Sequence, residues 1–229
     1  MDITDIRFFE REAYLLKPSL LDSKKIEENL KGIKYSGQGR TVDKEVENSN
    51  IPYFATTFFH FVFTYDRIPN ETELMQHYIV LNQISEDGQF LQFKAKPLSK
   101  NGVENRLLRS YPSLVRDFHF FKLCTESKNF DAVKYSLKVD IEDGVDLMIQ
   151  QNEKIFCVSI FTQTPRAKKY KDRKNRVRHD YKNCFKQIEF SVDLSSKNIV
   201  KVSNFLLLSQ THVALLAKQI TSYAGSKNS

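Results

Sequence analysis

The second half of the chain changes its hydrophobic period several times, and each change predicts a new element. From residue 133 to 141 apolar and polar residues alternate, which is typical of a half-buried strand. A second strand is predicted at 145–149, and a polar turn follows at 150–154. Residues 155–161 are almost entirely apolar, which favours a central strand covered on both faces. Alternation returns at 188–194 and predicts a fourth strand.

Helical spacing is found on both sides of these strands. Apolar residues recur at threes and fours over 104–127, which predicts a long helix with Pro112 near its start. Thr164 and Pro165 suit an N-cap and a first helical position, so a second helix is predicted to begin there. Ser209 would cap a final helix. The order of the second half is therefore helix, strand, strand, strand, helix, strand, which predicts an α/β fold.

The first half is predicted to be mainly helical. The aromatic-rich stretch 53–65 is apolar on most sides, as expected of a core helix. Asn70 and Glu73 have the spacing of a capping box, which would begin a further helix. Residues 84–103 are rich in turn residues, and we place a domain boundary at their end. We therefore predict a helical N-terminal region at 1–103 and an α/β domain at 104–229.

Charge is distributed unevenly between these two parts. Residues 1–103 carry 13 Lys and Arg against 15 Asp and Glu, a net charge of −2. Residues 104–229 carry 22 against 13, a net charge of +9. Residues 164–186 alone hold 10 basic residues against Asp172 and Asp180, a net charge of +8. Such a density of cations indicates a site for a polyanion, and nucleic acid is the expected partner.

The basic residues of the predicted helix fall on two flanks of a narrow apolar seam when 100° is allowed per residue. The first flank, called here the Arg166 flank, consists of Arg166, Lys169, Arg173 and Arg176. The second, called the Lys171 flank, consists of Lys171, Lys174, Arg178 and Lys182. These eight side chains are the candidate nucleic-acid contacts, because lysine and arginine stems can lie along the seam while their charges reach phosphates.

Other classes of protein are disfavoured by composition. No apolar run reaches the length of about 18 residues that a membrane span needs, so no membrane partner is expected. The acidic N-terminus lacks the apolar stretch of a signal peptide. The three cysteines are far apart, so neither a disulfide framework nor a zinc site is expected, and a reducing cytoplasm is predicted. The five histidines are scattered, and no pair has the spacing of metal ligands with a carboxylate.

The predicted element order resembles the αβββαβ core of the PD-(D/E)XK, or restriction-endonuclease-like, superfamily. In that family an acidic residue begins the second core strand and a Glu-x-Lys motif lies on the third. The resemblance implies that Asp146, in Gly144-Val145-Asp146-Leu147, is the first acidic residue. It also implies a Mg²⁺ ion that positions water for phosphodiester hydrolysis.

The second motif of the family is degenerate here. The alignment puts Ser159 in the place of the glutamate and Phe161 in the place of the lysine. The resemblance leaves two explanations open. In the first, the following helix supplies the lysine, as Lys169 or Lys174, with Asp140, Glu142 or Asp143 as the second metal carboxylate. In the second, the domain has lost catalysis and only binds.

These observations predict a nucleic-acid-binding protein with a nuclease-like core. As an enzyme it would be a Mg²⁺-dependent endonuclease of the restriction or phage-defence type, acting first of all on DNA, with Asp146, Lys169 and Lys174 as catalytic residues. The alternative is an inactive nuclease-like subunit that binds nucleic acid or an acidic protein partner within a larger complex. A protein partner would be favoured if the 53–65 helix of the N-terminal region proved exposed.

Overall fold

The computed structural model describes residues 19–36, 41–94, 96–163 and 184–224, apart from the side chain of Glu142, and the backbone of 7–8 and 14–15. Its helices are α1 Ser23–Lys31, α2 Lys44–Glu47, α3 Phe54–Tyr65, α4 Glu71–Leu81, α5 Lys100–Glu126, α6 Leu137–Asp143 and α7 Gln210–Ala224. Its strands are β1 Arg7–Phe8, β2 Tyr14–Leu15, β3 Ser85–Asp87, β4 Phe90–Gln92, β5 Pro97–Ser99, β6 Ala132–Lys134, β7 Leu147–Gln151, β8 Lys154–Thr162, β9 Lys186–Val192, β10 Val200–Val202 and β11 Phe205–Leu207.

The chain divides into two compact units. The helical unit comprises residues 19–116 and 202–205, and the sheet unit comprises residues 1–18, 117–201 and 206–229. This division falls within α5, whereas the shift in charge predicted a boundary at residue 103. The division into a region at 1–103 and a domain at 104–229 therefore stays a prediction. The protein has helices and a mixed sheet, which confirms the α/β class in general terms.

The helical unit begins several of its helices with side-chain caps. The predicted capping box is confirmed, since the Asn70 side chain accepts from the Glu73 N–H at 2.9 Å and the Glu73 carboxylate accepts from the Asn70 N–H at 2.9 Å. The core character of α3 is also confirmed, because Phe58, Phe59 and Phe61 are buried. The exposed aromatic helix that would have favoured a protein partner is therefore not found in the described residues.

The turn-rich stretch before α5 contains a small antiparallel sheet that the sequence pattern did not predict. Its strand order is β3-β4-β5, and Leu91 pairs with Leu98 across the last two strands. Both leucines are buried. A strand of three residues is too short to show a hydrophobic period, so the sequence pattern could not predict this sheet.

Two arginines of α5 hold the segment before α3 in place. Arg106 donates to the carbonyl of Val46 at 2.6 Å and to that of Ser49 at 3.2 Å. Arg109 donates to the Thr41 carbonyl and forms an ion pair with Glu47. These guanidinium groups therefore stabilise the fold of the helical unit.

The sheet unit is built on a four-stranded mixed sheet of order β6-β7-β8-β9. The pairs β6–β7 and β7–β8 are antiparallel, and β8–β9 is parallel, with Phe156 opposite Lys186 and Thr162 opposite Val192. The predicted hairpin and the fourth strand are confirmed. Antiparallel neighbours can be joined by a tight turn, but the parallel pair needs a crossover connection, which is the chain from 164 to 183.

One face of this sheet packs against α5 and α7. Alternate residues of three strands point to the same core, among them Leu147, Phe156 and Phe190. The rings of Phe120 on α5 and Phe190 on β9 are stacked, with centroids 5.9 Å apart. From α7, Leu216 joins the same cluster. Burial of an apolar side chain of this size contributes about 1.5–3 kcal/mol, so this core supplies much of the stability of the unit.

The prediction of one long strand at 133–141 is wrong. The strand ends at Lys134, and α6 follows. Ser136 caps α6 by accepting from the Val139 N–H at 3.4 Å, and Gly144 ends it with a positive φ of 69°. Leu137 and Ile141 are four residues apart, so the alternating pattern also fits one face of a short helix.

The β7–β8 hairpin turns at Asn152 and Glu153. Both have positive φ, 50° and 63°, between the paired residues Gln151 and Lys154. A two-residue turn with both φ values positive is of type I′, in which glycine is favoured at the second position.

We expect Glu153→Gly to raise the free energy of unfolding by about 0.5–1 kcal/mol, because glycine adopts positive φ without a steric cost. Urea unfolding of the variant measures this. Asn152→Gly is the matched control, with a smaller gain, because asparagine already tolerates this region. A loss of stability in Glu153→Gly would contradict the turn assignment.

None of the described helices is both long enough and apolar enough to cross a bilayer.

Candidate functional site

Asp146 lies at the entrance to β7, as the sequence predicts for the first acidic residue of the site. Its N–H donates to the Val158 carbonyl at 2.9 Å, and its carboxylate accepts from the Ile160 N–H at 2.5 Å. The Asp146 side chain therefore extends the pairing of β7 with β8 beyond the last backbone bond. This contact gives Asp146 a structural role, whatever its chemistry.

We expect Asp146→Ala to lower the free energy of unfolding by about 1.5–3 kcal/mol, because the Ile160 N–H loses a charged acceptor. Asp146→Asn should lose less, since the amide oxygen can still accept. Urea unfolding of the three proteins measures both effects. Equal stability of all three would show that the hydrogen bond contributes nothing. Asp146→Asn is accordingly the better variant for any activity test.

Ser159 and Phe161, which the resemblance aligns with the Glu-x-Lys motif, are on β8. The Ser159 hydroxyl donates to the Gly144 carbonyl at 2.6 Å, so it holds the turn before Asp146. Phe161 is half-buried two residues further along the strand. Ser159 is thus engaged by the backbone, and a phenyl ring has no polar atom to offer a phosphate.

A buried tyrosine, Tyr135, contacts one of the candidate carboxylates. The Tyr135 hydroxyl donates to the Asp140 carboxylate at 2.8 Å. Burial, and after it the charges of Asp140, Asp146 and Asp117, raise the pKa of Tyr135 well above its usual value. The structure therefore brings carboxylates from α5, α6 and the start of β7 towards one hydroxyl, which stays protonated.

A Mg²⁺ site among these carboxylates is not found in the part of the chain that the structure describes. Among the residues that the structure describes, no group of three or more Asp, Glu, His or Cys side chains is arranged to hold a metal. Asp140 and Asp146 already accept hydrogen bonds from Tyr135 and Ile160. Asp143 is the last residue of α6, and the side chain of Glu142 is outside the described residues. We therefore derive no step through a metal ion.

All eight candidate nucleic-acid contacts are outside the described residues. They are Arg166, Lys169, Lys171, Arg173, Lys174, Arg176, Arg178 and Lys182, and they include both candidate catalytic lysines. The two ends of their segment are described. The Gln163 N–H donates to the Val192 carbonyl at 2.9 Å, and the Phe185 N–H donates to the Ile155 carbonyl at 2.7 Å. The basic segment thus connects opposite ends of two adjacent parallel strands.

A disulfide joins Cys157 on β8 to Cys184, just before β9. The expectation of no disulfide was wrong. It rested on spacing in sequence, whereas the parallel pairing of β8 with β9 brings these residues together across 27 positions. Cys124 is a free, buried thiol. The cytoplasmic location rested on the same expectation and stays a prediction.

The structure also pairs two histidines that the sequence left scattered. His60 Nδ1 on α3 and His77 Nε2 on α4 lie 2.9 Å apart. Burial, and after it the charge of His60, lower the pKa of His77 to about 4. Burial lowers the pKa of His60 as well. Both rings are therefore neutral at pH 7, and one donates to the other.

We expect stability to fall as the pH is lowered from about 6.5 to about 4, since in this window histidine of the unfolded chain takes up a proton that His77 of the folded protein does not. The expected loss is about 1–2 kcal/mol, allowing for the screening of a half-exposed ring. Urea unfolding at both ends of the window measures it. His77→Gln should remove this part of the pH dependence, and an unchanged dependence in the variant would contradict the assignment.

Comparisons of the chain with known protein families, with curated proteins and with solved structures find no match.

Proposed function

We propose that the sheet unit is a restriction-endonuclease-like domain that binds nucleic acid through its basic crossover segment. The observation that carries the proposal is the parallel pairing of β8 with β9. This pairing makes the segment 164–183 the connection between two core strands, and residues 164–186 have a net charge of +8, from ten basic residues less two aspartates. A high density of cations on one connection is the electrostatic requirement of phosphate binding.

The order and direction of the elements support the proposed fold. A long helix precedes β6, two antiparallel pairings follow, and a crossover leads to a parallel strand. These elements are compatible with the order of the αβββαβ core, with α6 inserted between the first two strands. The helix predicted to begin at Thr164 and Pro165 lies outside the described residues. Asp146 lies at the start of the second strand, where the resemblance expects an acidic residue.

The donor set supports binding more than catalysis. Asp140 and Asp146 accept protein hydrogen bonds. Ser159 and Phe161 offer neither a strong metal ligand nor a cation. We therefore propose a domain that binds nucleic acid without cleaving it. Its contacts with phosphates would give affinity but little recognition of base sequence. Cleavage remains a measurable alternative, because Lys169 and Lys174 are the candidates for the missing cation.

The test is binding of fluorescent single- and double-stranded DNA and RNA at about 50 mM and about 200 mM salt, with cleavage followed in Mg²⁺ or Mn²⁺. We expect salt-sensitive binding without cleavage. Absence of binding at the lower salt would overturn the proposal. Metal-dependent cleavage that is lost in Asp146→Asn, with binding retained, would replace it with an endonuclease.

A further inference from the structure

One edge of the sheet unit combines lysines with exposed aromatic rings. We call it the Lys154 edge, and it consists of Lys154, Ile155, Phe185, Lys186 and Tyr223. Phe185 is tied to the start of β8 by the 2.7 Å hydrogen bond from its N–H to the Ile155 carbonyl. Lys154 Nζ donates to the carbonyl of Ala224 at 3.2 Å, which brings the end of α7 to the same place.

The apolar side chains of this edge are partly open to solvent. The exposed fractions are 41% for Phe185, 39% for Ile155 and 36% for Tyr223. Phe185 also packs edge-on against the buried ring of Phe156, with centroids 5.6 Å apart and an interplanar angle of 73°. The Phe185 ring therefore contacts the core on one side and remains partly open to solvent.

Each exposed ring has an ammonium group close to it. Lys154 Nζ lies 4.2 Å from the centroid of Phe185, and Lys186 Nζ lies 5.5 Å from the centroid of Tyr223. Because Lys154 contacts both Phe185 and the residue after Tyr223, the two pairs are neighbours. The edge thus alternates cation and aromatic ring, and Glu153 is the acidic residue next to it in sequence.

A surface of this composition suits a nucleic-acid strand more than a protein. Lysine is depleted in the centres of protein–protein interfaces, whereas these apolar side chains are separated by two lysines. In a single strand the phosphates can approach ammonium groups while unpaired bases stack on aromatic faces. In a duplex the bases are already stacked on one another and cannot reach the rings.

We propose that the Lys154 edge is a stacking platform for single-stranded nucleic acid. Lys154 and Lys186 would contact phosphates, and Phe185 and Tyr223 would stack with bases. The proposal rests on the proposed function and adds the strand form that the domain prefers. The Lys154 edge is continuous in sequence with the basic segment, since the connection 164–183 is followed directly by Cys184, Phe185 and Lys186.

The experiment compares three fluorescent probes: a single-stranded oligothymidylate, the same strand in a duplex, and an abasic strand of equal length. The test variant is Phe185→Leu/Tyr223→Leu, since leucine keeps the apolar contact with Phe156. The matched control is Tyr53→Leu/Phe90→Leu, two exposed aromatic residues of the helical unit. Circular dichroism and urea unfolding verify that both double variants are folded.

We expect the test variant to bind the oligothymidylate about tenfold more weakly, within the range for loss of base stacking. Its affinity for the duplex and for the abasic strand should change less than about twofold, because phosphate contacts remain. The control variant should resemble the wild type on all three probes.

Two other outcomes would overturn the inference and are distinguishable. If the wild type binds but the test variant keeps its affinity for the oligothymidylate, the platform is wrong and the proposed function stands. If the wild type binds none of the probes at about 50 mM salt, the proposed function fails, and the platform fails with it. Lys154→Gln and Lys186→Gln should weaken the binding of all three probes by equal factors.

Discussion

Replacing the four basic residues of one flank of the basic segment with glutamine will weaken nucleic-acid binding by about 100- to 10,000-fold at about 50 mM salt. Each cation that neutralises a phosphate releases a counterion, so the slope of log affinity against log salt should also fall by about 3–4. Fluorescence anisotropy with a salt titration measures both quantities. The effect is large because all four charges act on the same polyanion.

The two flanks are matched controls for each other. The Arg166 flank and the Lys171 flank each contain four cations, so both quadruple variants lower the net charge of the protein by the same amount. If one face of the segment meets the phosphates, one variant will lose far more affinity than the other. Equal and small losses in both would show that the segment contributes only to the overall field of the protein.

Reduction of the Cys157–Cys184 disulfide will lower the free energy of unfolding by about 3–4 kcal/mol. The bond closes a loop across 27 positions, and opening it increases the conformational entropy of the unfolded chain. Urea unfolding with and without a reductant measures the loss. The basic segment lies within this loop in sequence, and the bond closes the loop next to the C-terminal end of the segment.

Cys124 supplies the control, because it is a buried thiol outside the disulfide. In Cys124→Ala the effect of the reductant should persist, whereas in Cys157→Ala/Cys184→Ala it should vanish. Thiol titration of the unfolded, unreduced protein should find one free thiol. Three free thiols would contradict the bond, and a reductant effect that persisted in the double variant would assign the loss to another cause.

The sequence could predict those parts of the candidate site that depend on residues close together in the chain. The place of Asp146 at the start of a strand followed from the apolar run after it, and the strand at 155–161 followed from its apolar residues. The two positions compared with the Glu-x-Lys motif came from the resemblance alone. The partners of these residues could not be predicted. Ser159 with Gly144 and Asp146 with Ile160 are pairs set by the register of β7 on β8, which no local pattern contains.

The surroundings of Tyr135 were also not predicted from the sequence. Its carboxylates come from α5, α6 and the start of β7, and the pattern over 133–141 predicted a strand where α6 forms. Alternation with apolar residues four apart satisfies both a strand and a helix, and the Ser136 cap with Gly144 decides for the helix. The local caps of α6, which the alternating pattern does not reveal, therefore placed Asp140 beside Tyr135.

The sequence alone determined the elements that stabilise themselves locally. The capping box of Asn70 with Glu73, the buried helix at 54–65 and the β7–β8 hairpin depend on residues close together in the chain. Tertiary structure alone decided the Cys157–Cys184 bond and the His60–His77 contact. Each contact joins residues that are far apart in sequence, so it exists only after strands or helices have packed. The free energy that brings the residues together comes from burial of the apolar core of their own unit.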